Sequence, residues 1–554
     1  MALGPWPVAN VGTAEKPVFF PAEVIEILPG QAVKTKLTGR ETTDMLTHAC
    51  KTPKYNATTL ETASRSILHL DDGLLGKFSI SVDKKLLAVH ARILNAPIIQ
   101  YNNQGKNSTM VPQDGSWNMA QVKVFRGARI DKWGSFFVSN PNNELRDKSL
   151  AETFVEEARK IGIHLANCST PLVTLPLGRG GEEALRNTFQ KAQQRGLQFM
   201  LFIFPEEDKS GTYNRIKSLG DCEFGIHTSC IVAKKFEGKP PHQQSQYFAN
   251  VLLKWNLKAG GVNHKLSQDV ALIKEGKTMV VGYDVTHPTN MPFSGGELPP
   301  SLVGVVASVD KDLGQWPSVV WEQPAKQEML SDRLVEAFKS RLALWQGKAP
   351  HAKPLPENII IFRDGVSEGQ FSMVVDRELP HIREACRLMY GKGKQPKLTI
   401  VVSVKRHQTR FYPSQDGKDT KNGNIRPGTV VDRDVTQARF WDFYLTAHNA
   451  IKGTARPAHY TVLLDEIFRA KFPGRAAEEL EKLTHEMCYL FGRATKAISI
   501  CPPAYYADIV CERARLHRPE YDASETQSVS TTSQGNANLQ TSIHLRLKDT
   551  MYYI

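Results

Sequence analysis

Apolar runs of strand length alternate with helical segments over most of this chain, and that alternation limits the fold more than any other feature. LQFMLFIF (Leu197 to Phe204) follows a helical stretch from Glu182 to Arg195 across Gly196. An unbroken apolar run placed this way predicts a parallel strand buried on both faces. PEEDKSG is then a turn-rich loop, and a helix starts at Thr212. From residue 273 onward TMVVGYD and SLVGVVASVD are strand-length, and Ala325 to Trp345 reads as a helix. ENIIIFRD is a strand leading into a long helix from Glu368 to about Tyr390. LTIVVSV and HYTVLLD give two further strands, with helices near 475–495 and 503–516. The pattern predicts an α/β sheet with helices on both faces. Residues 1–118 hold only short strand-like and helical runs, 119–272 read as one α/β unit, and 273–554 as another. The stretch 518–543 is rich in Ser, Thr, Gln and Asn and predicts a mobile loop. DTMYYI after it is apolar enough to return and dock.

At 554 residues the chain is long enough for three or four folded units. No apolar stretch reaches the ~18–20 residues that span a bilayer, and the N-terminus lacks the basic and apolar regions of a secretion signal. The eight cysteines include no CxxC pair, which fits a reducing, cytoplasmic setting rather than a disulfide framework or structural zinc. Lys plus Arg exceed Asp plus Glu by 70 − 57 = 13. An excess of this size favours a polyanionic partner.

Two aspartates stand where a packed strand has no use for them. Asp284 closes TMVVGYD and Asp364 closes ENIIIFRD. The carboxyl ends of strands line the ligand crevice of open α/β sheets. Paired carboxylates there could hold Mg²⁺, which takes oxygen ligands and keeps waters for a substrate phosphate. Paired divalent ions stabilise both oxygens of an in-line phosphoryl displacement. The plainer reading makes each aspartate a helix cap or a turn residue.

The surrounding residues decide between these readings. YDVTHP (Tyr283 to Pro288), RDGVSEGQF (Arg363 to Phe371), VKRHQTRFYP (Val404 to Pro413) and PPAYYAD (Pro502 to Asp508) occur in that order, with Gly428 to Glu466 between the last two. The chain strongly resembles the PIWI domain of eukaryotic Argonaute proteins, fungal quelling-type members above all, from about residue 10 to Ile554. The resemblance implies an RNase H-like PIWI domain at 273–554, a Rossmann-like MID domain at 119–272 and an α+β PAZ tail and linker at 1–118. It implies a silencing endoribonuclease that cuts a complementary target RNA paired to a small guide RNA or, with the N and PAZ domains missing from the expected span, a guide-binding silencing module without cleavage. Asp284, Asp364 and Asp508 then hold Mg²⁺, for which Mn²⁺ can substitute, and Glu328 in AKQEML completes the tetrad. Glu322, six residues earlier, is a weaker match, and Asp465 and Glu466 read as structural. The products would carry 3′-hydroxyl and 5′-phosphate ends.

Tyr213 and Lys217 share one helical face by their four-residue spacing, as do Lys254 and Lys258 ahead of a Gly-Gly stop. Each pair alone reads more simply as a solvated face. The resemblance turns both into the pocket for the guide's 5′-phosphate, with Arg513 and the Ile554 carboxylate. HTSC departs from the family's usual Gln before Cys, so Thr228 or Ser229 would supply that contact. For the guide backbone the matched residues are Lys405, Arg410, His448, Arg456, Arg493, Ser499 and Tyr505. Holding phosphates while leaving base edges free lets pairing carry the specificity. GRGG (Gly178 to Gly181) lacks the Lys-Ser/Thr of a phosphate loop and reads as a turn. The expected span is linker, MID and PIWI only, with silencing partners unspecified and no membrane partner.

Overall fold

The computed structural model describes residues 8–12, 16–26, 28–30, 37–104, 108–119, 121–139, 145, 149–170, 172–176, 181–208, 211–268, 270, 272–288, 299–347, 354–414, 420, 422–518 and 542–554. Two sheets organise them. The first has four strands, β1 (Trp133–Val138), β2 (Val173–Leu175), β3 (Phe199–Phe204) and β4 (His227–Val232), in the order β4-β3-β1-β2. All three pairings are parallel. The FMLFIF run is β3, buried at every residue, because helices cover both its faces. Leu201 and Ile203 pack with α1 (Leu150–Lys160) and α4 (Pro241–Lys258), while Met200 and Phe202 pack with α2 (Glu182–Gln194) and α3 (Thr212–Ser218).

The second sheet has nine strands. Eight are β5 (Thr278–Thr286), β6 (Ser301–Ala307), β7 (Ser318–Gln323), β8 (Asn358–Asp364), β9 (Lys397–Val404), β10 (Thr429–Val431), β11 (Trp441–Thr446) and β12 (Ala458–Asp465). The spatial order is β7-β6-β5-β8-β9-β12-β11-β10, closed at one edge by the short Arg92–Ile93 strand. Only β5-β8-β9 run parallel. Alternation sorts the central strands: Val281, Tyr283, Ile359 and Ile361 face α5 (Arg333–Gly347) and α6 (Leu379–Tyr390). Val280, Ile360 and Phe362 face α7 (Ala476–Met487), α8 (Pro502–Leu516) and the buried C-terminal residues 551–554. The terminal DTMYYI segment thus docks as its composition predicts.

Four expectations change. The helix read from Ala325 starts only at Arg333; Lys326 has φ +60° and Gln327 N–H bonds the Pro324 carbonyl, so the chain turns there instead. The helix read from Glu368 to Tyr390 is a 3₁₀ turn, a short α turn, a π turn (Val374–Glu378) and then α6. The helix near 475–495 ends at Met487. Strands β7, β10 and β11 have no counterpart in the sequence reading. The expected mobile loop at 518–543 lies outside the described residues except for 518, 542 and 543, as do three of the four GRGG residues. Residues before 118 complete other sheets: Arg92–Ile93 pairs with β10, and Ile99–Gln100 pairs with Lys265–Leu266. Among the described residues no helix is long and apolar enough to cross a membrane, and all eight cysteines are unpaired.

Two glycines set the contact between α8 and the sheet. A methyl group on Gly282 of β5 would collide with the Pro503 carbonyl, and one on Gly304 of β6 would lie 2.7 Å from the Ala507 carbonyl oxygen. Overfilled cores lose about 1–3 kcal/mol, so Gly282→Ala is expected to lower stability by that amount in urea unfolding. Gly347→Ala, with nothing within 4 Å, is expected to leave it unchanged.

Candidate functional site

Parallel register places Tyr283 opposite Arg363, so Asp284 and Asp364 close adjacent strands side by side. Asp284 is 7 % exposed. The two glycines let α8 lie close across β5 and β6, which brings in Asp508 as a third acid. All three carboxyls titrate above the usual carboxylate range. Burial is the main cause for Asp284, with Asp508 and Glu328 adding and Arg363 opposing. For Asp364, burial acts first and Asp284 and Asp508 add. For Asp508, burial acts against Arg406, Arg515 and Lys405. Crowded buried carboxylates of this kind favour a cation between them.

Glu328 is not a solvated helix-start acid. It sits in the turn before α5, with Oε1 accepting from Arg363 Nη2 at 2.7 Å and Oε2 2.7 Å from His287 Nε2. The rival Glu322 belongs to β7 and pairs with Arg518 through two contacts of 2.6 and 2.7 Å. Asp465 caps the turn after β12, accepting from the Ile467, Phe468 and Arg469 amides, and Glu466 accepts from the Leu398 amide. Both are structural, as read. Among the described residues no group of three or more His, Cys, Asp or Glu is drawn closely enough to hold an ion unaided. Mg²⁺ needs only one or two carboxylates with waters and substrate oxygens, and the Asp284–Asp364 pair supplies hard donors of that kind.

A cavity of about 420 Å³ lies between the two sheets, and all eight residues singled out for a 5′-phosphate line it. Lys217 Nζ donates to the Thr228 carbonyl and Oγ1, both at 3.0 Å, and Lys258 Nζ to the same carbonyl at 2.8 Å. Thr228 therefore orients the lysines, while Ser229 lines the cavity beside it. Tyr213 places its ring 5.2 Å from Lys217 Nζ. Burial, then Arg493 and Lys217, push Lys254 down to about 8. Lys258 falls well below its ordinary value by burial and by Lys217 and Arg513. Arg513 donates to the Tyr553 carbonyl at 3.2 Å and to a carboxylate oxygen of Ile554 at 3.4 Å. Beneath this cluster, in a π turn (Leu219–Phe224), lies Asp221. Its Oδ2 stands 3.2 Å from Arg513 Nη1 and 3.0 Å from His517 Nε2. Burial raises its pKa, but Arg513, His517 and Lys217 outweigh that and hold it far below the carboxylate range.

A second cavity of about 490 Å³ adjoins the first and shares Lys254 and Arg493 with it. Tyr505 lines it, stacked on Phe491 at 4.9 Å between centroids. Lys405 and His448 draw together near the acids. Lys405 is disfavoured as a cation by burial and Arg456, against Asp364 and Asp508. His448 is pushed down to about 4 by burial with Lys405 and Lys496. Arg456 also acts on Arg410, whose Nη1 is tied to the His407 and Thr409 carbonyls at 2.9 and 2.8 Å. Ser499 is part-buried and lines neither cavity. Sequence reasoning missed Asp221, His287, Arg363 and Arg406, and Lys235 and Asn250, which line the second cavity. Asn250 carried a usable signal, one turn before Lys254 on α4.

Residues 199–518 match the Piwi domain model. The chain is 33% identical to Protein argonaute 5 of Arabidopsis thaliana, over 99% of its own length and 55% of that protein. It is 32% identical to Protein argonaute MEL1 of Oryza sativa subsp. japonica, over 99% and 53%. The chain thus spans about half the length of these curated relatives. Its fold is similar to that of Kluyveromyces polysporus Argonaute, solved with a guide RNA (TM-score 0.78, 27% identity, 99% of this chain and 62% of that one). It is also similar to the MID-PIWI domains of N. crassa QDE-2 AGO (TM-score 0.57, 38% identity, 78% and 100%). The α/β architecture is that of a MID unit joined to an RNase H-like PIWI unit.

Asp221→Asn removes the anion on which Arg513 and His517 converge, and breaking a buried pair costs about 3–5 kcal/mol. A carboxylate depressed in the fold contributes stability above its unfolded pKa near ~3.9 and loses it as pH falls through that range. The stability gap between the native chain and the variant is therefore expected to be full at pH 7 and to narrow below about pH 4, as urea unfolding against pH would read.

Proposed function

Because the chain belongs to the Argonaute family of Piwi-domain proteins, we propose that it holds the 5′-phosphate of a small guide RNA and cuts complementary target RNA in gene silencing. The observation that carries this reading is α8. One helix delivers Asp508 to the acid cluster and, five residues on, Arg513 to the phosphate cavity. A guide anchored at one site would therefore cross the other in a fixed register.

In the cavity Lys217, Lys254, Lys258 and Arg513 meet a terminal phosphate, and Tyr213 offers a face for the first base; stacking with phosphate pairing suits single-stranded RNA. Arg493 and Tyr505 continue the path through the second cavity, and Lys405, Arg410, His448 and Arg456 extend it to the acids. At the cluster, Asp284 and Asp364 would hold Mg²⁺, with Asp508 a further oxygen donor. When bound, the ion supplies an activated water and neutralises charge on the leaving oxygen. Glu328, held by Arg363 and His287, would orient an attacking water through its carboxylate. Asp284 and Asp364 must shed their protons to serve, so more Mg²⁺ is needed as pH falls. The same engagement of Glu328 favours a second reading: a guide-binding silencing module that does not cut. Its binding partners would be the guide RNA, target RNA and silencing proteins, in the cytoplasm.

The deciding assay loads a 5′-phosphorylated guide and follows a complementary RNA with Mg²⁺. A single internal cut, abolished by Asp364→Ala with guide binding intact, is the expected result. Binding without a cut would leave the second reading. Removing the 5′-phosphate is expected to weaken guide binding about 10- to 100-fold, the worth of one or two charge-assisted contacts. Guide binding favours the charged form of Lys254, so its contribution is complete below pH 8 and fades as pH rises above that value. Lys254→Arg should remove that fall, measured as guide Kd against pH.

A further inference from the structure

Strand alternation divides the residues around the acids. Asp284 and Asp364 face α8, whereas Tyr283 and Arg363, cross-strand partners, face the layer of α5 and α6. The Arg363 side chain has no exposed surface. Its Nε lies 3.4 Å from Glu378 Oε2 and its Nη2 3.4 Å from Glu378 Oε1, so Glu378 meets one edge of the guanidinium with both oxygens. Nη1 donates to the Asp364 carbonyl at 2.7 Å. Nη2 also reaches Glu328, at 2.7 Å to the carboxylate and 3.3 Å to the carbonyl. Glu378 ends the π turn behind RDGVSEGQF and is fully buried. The Tyr283 hydroxyl donates to Glu378 Oε2 at 2.9 Å, and the Tyr283 ring lies against the guanidinium, 5.3 Å from centroid to Cζ.

A guanidinium presents its donors in a rigid planar fork, so fixing one edge fixes the other. Nη2 is shared by two carboxylates, one immobile in the core and one on a turn without helical bonds. The orientation that serves Glu328 is therefore decided at Glu378, whose own oxygen is pinned by Tyr283. We infer that Glu378, oriented by Tyr283, is a positioning residue for Glu328. It acts through Arg363 from the far face of the sheet and never meets RNA. A pair present only for packing would need neither the tyrosine donor nor the shared Nη2. The catalytic consequence rests on the cleavage reading; the positioning itself does not.

The test uses Tyr283→Phe and Glu378→Gln in the full chain, each loaded with guide. It compares single-turnover cleavage at saturating target, guide and target Kd, and amide hydrogen exchange over residues 325–331. Tyr283→Phe is expected to slow cleavage about 10-fold, the worth of one hydrogen bond to a charged group. Glu378→Gln, whose amide sets a donor against donors, is expected to slow it by about 100-fold, as small misplacements do. Both should leave Kd values unchanged and speed exchange in the 325–331 turn. Added to Glu328→Ala, Tyr283→Phe should slow cleavage no further. Native exchange in Tyr283→Phe, or a cleavage loss matched by weaker guide binding, would overturn the inference. If Glu378→Gln does not fold, Tyr283→Phe decides alone. A native chain that binds guide but does not cut removes the cleavage reading, and the exchange result still decides the positioning.

Discussion

The buried charge of Asp221 is the anchor of the basic cavity, meeting Arg513 and His517 and acting on Lys217. Lys217, Lys254, Lys258 and Arg513 converge on one small volume, and burial alone would drive such a cluster to shed protons or spread apart. Asp221, an anion beneath them and itself out of water, offsets part of that repulsion, as do Glu512 and the Ile554 carboxylate in the lining. It also joins the two sheets: Asp221 follows α3 of the four-stranded unit, whereas Arg513 and His517 come from α8 and the residue that ends it. A buried ion pair adds little to net stability, yet it strongly disfavours arrangements that leave one charge unmatched. Here it selects one docking of the units and, with it, one cavity shape.

The same device recurs at the other site. Asp221 sits in one π turn and Glu378 ends another, and each meets a buried arginine that reaches onward to a functional group. Arg513 reaches the Tyr553 carbonyl and the Ile554 carboxylate at the basic cavity; Arg363 reaches Glu328. A π turn widens the helix by one residue per ring and tends to mark functional positions. Both candidate sites therefore depend on a carboxylate that no ligand would touch.

Much of the fold was legible because long apolar runs such as FMLFIF and NIIIF can only be buried strands. β7 and β11 escaped because SVVWEQ and WDFYLT mix polar with apolar residues on edges of the pattern, and their strand state comes from neighbours rather than propensity. The turn holding Glu328 was read as helix since AKQEML has good helix formers; Pro324 and the positive φ of Lys326 override them. Its true partners, His287 and Arg363, lie 41 and 35 residues away. No local pattern encodes such separations, and the same holds for Asp221 and Arg513, 292 residues apart. The strand-end acids and the four-residue lysine spacings were legible because each is written within one element.

The glycines of β5 and β6 have a consequence of a different kind. Gly282 precedes Asp284 by two residues on the same face, and Gly304 is the cross-strand partner of Asp284. The acid therefore sits where α8 rests on bare backbone, and the helix can neither sink nor slide without hard overlap. The spacing between Asp508 and the strand acids is fixed by excluded volume, which ionic strength does not screen. The basic cavity is held by Coulomb forces between buried groups, which salt screens only weakly but protonation removes. Acid would therefore loosen the basic cavity through Asp221 while excluded volume keeps the spacing of the acid constellation, so the two halves of the molecule answer to different physical variables.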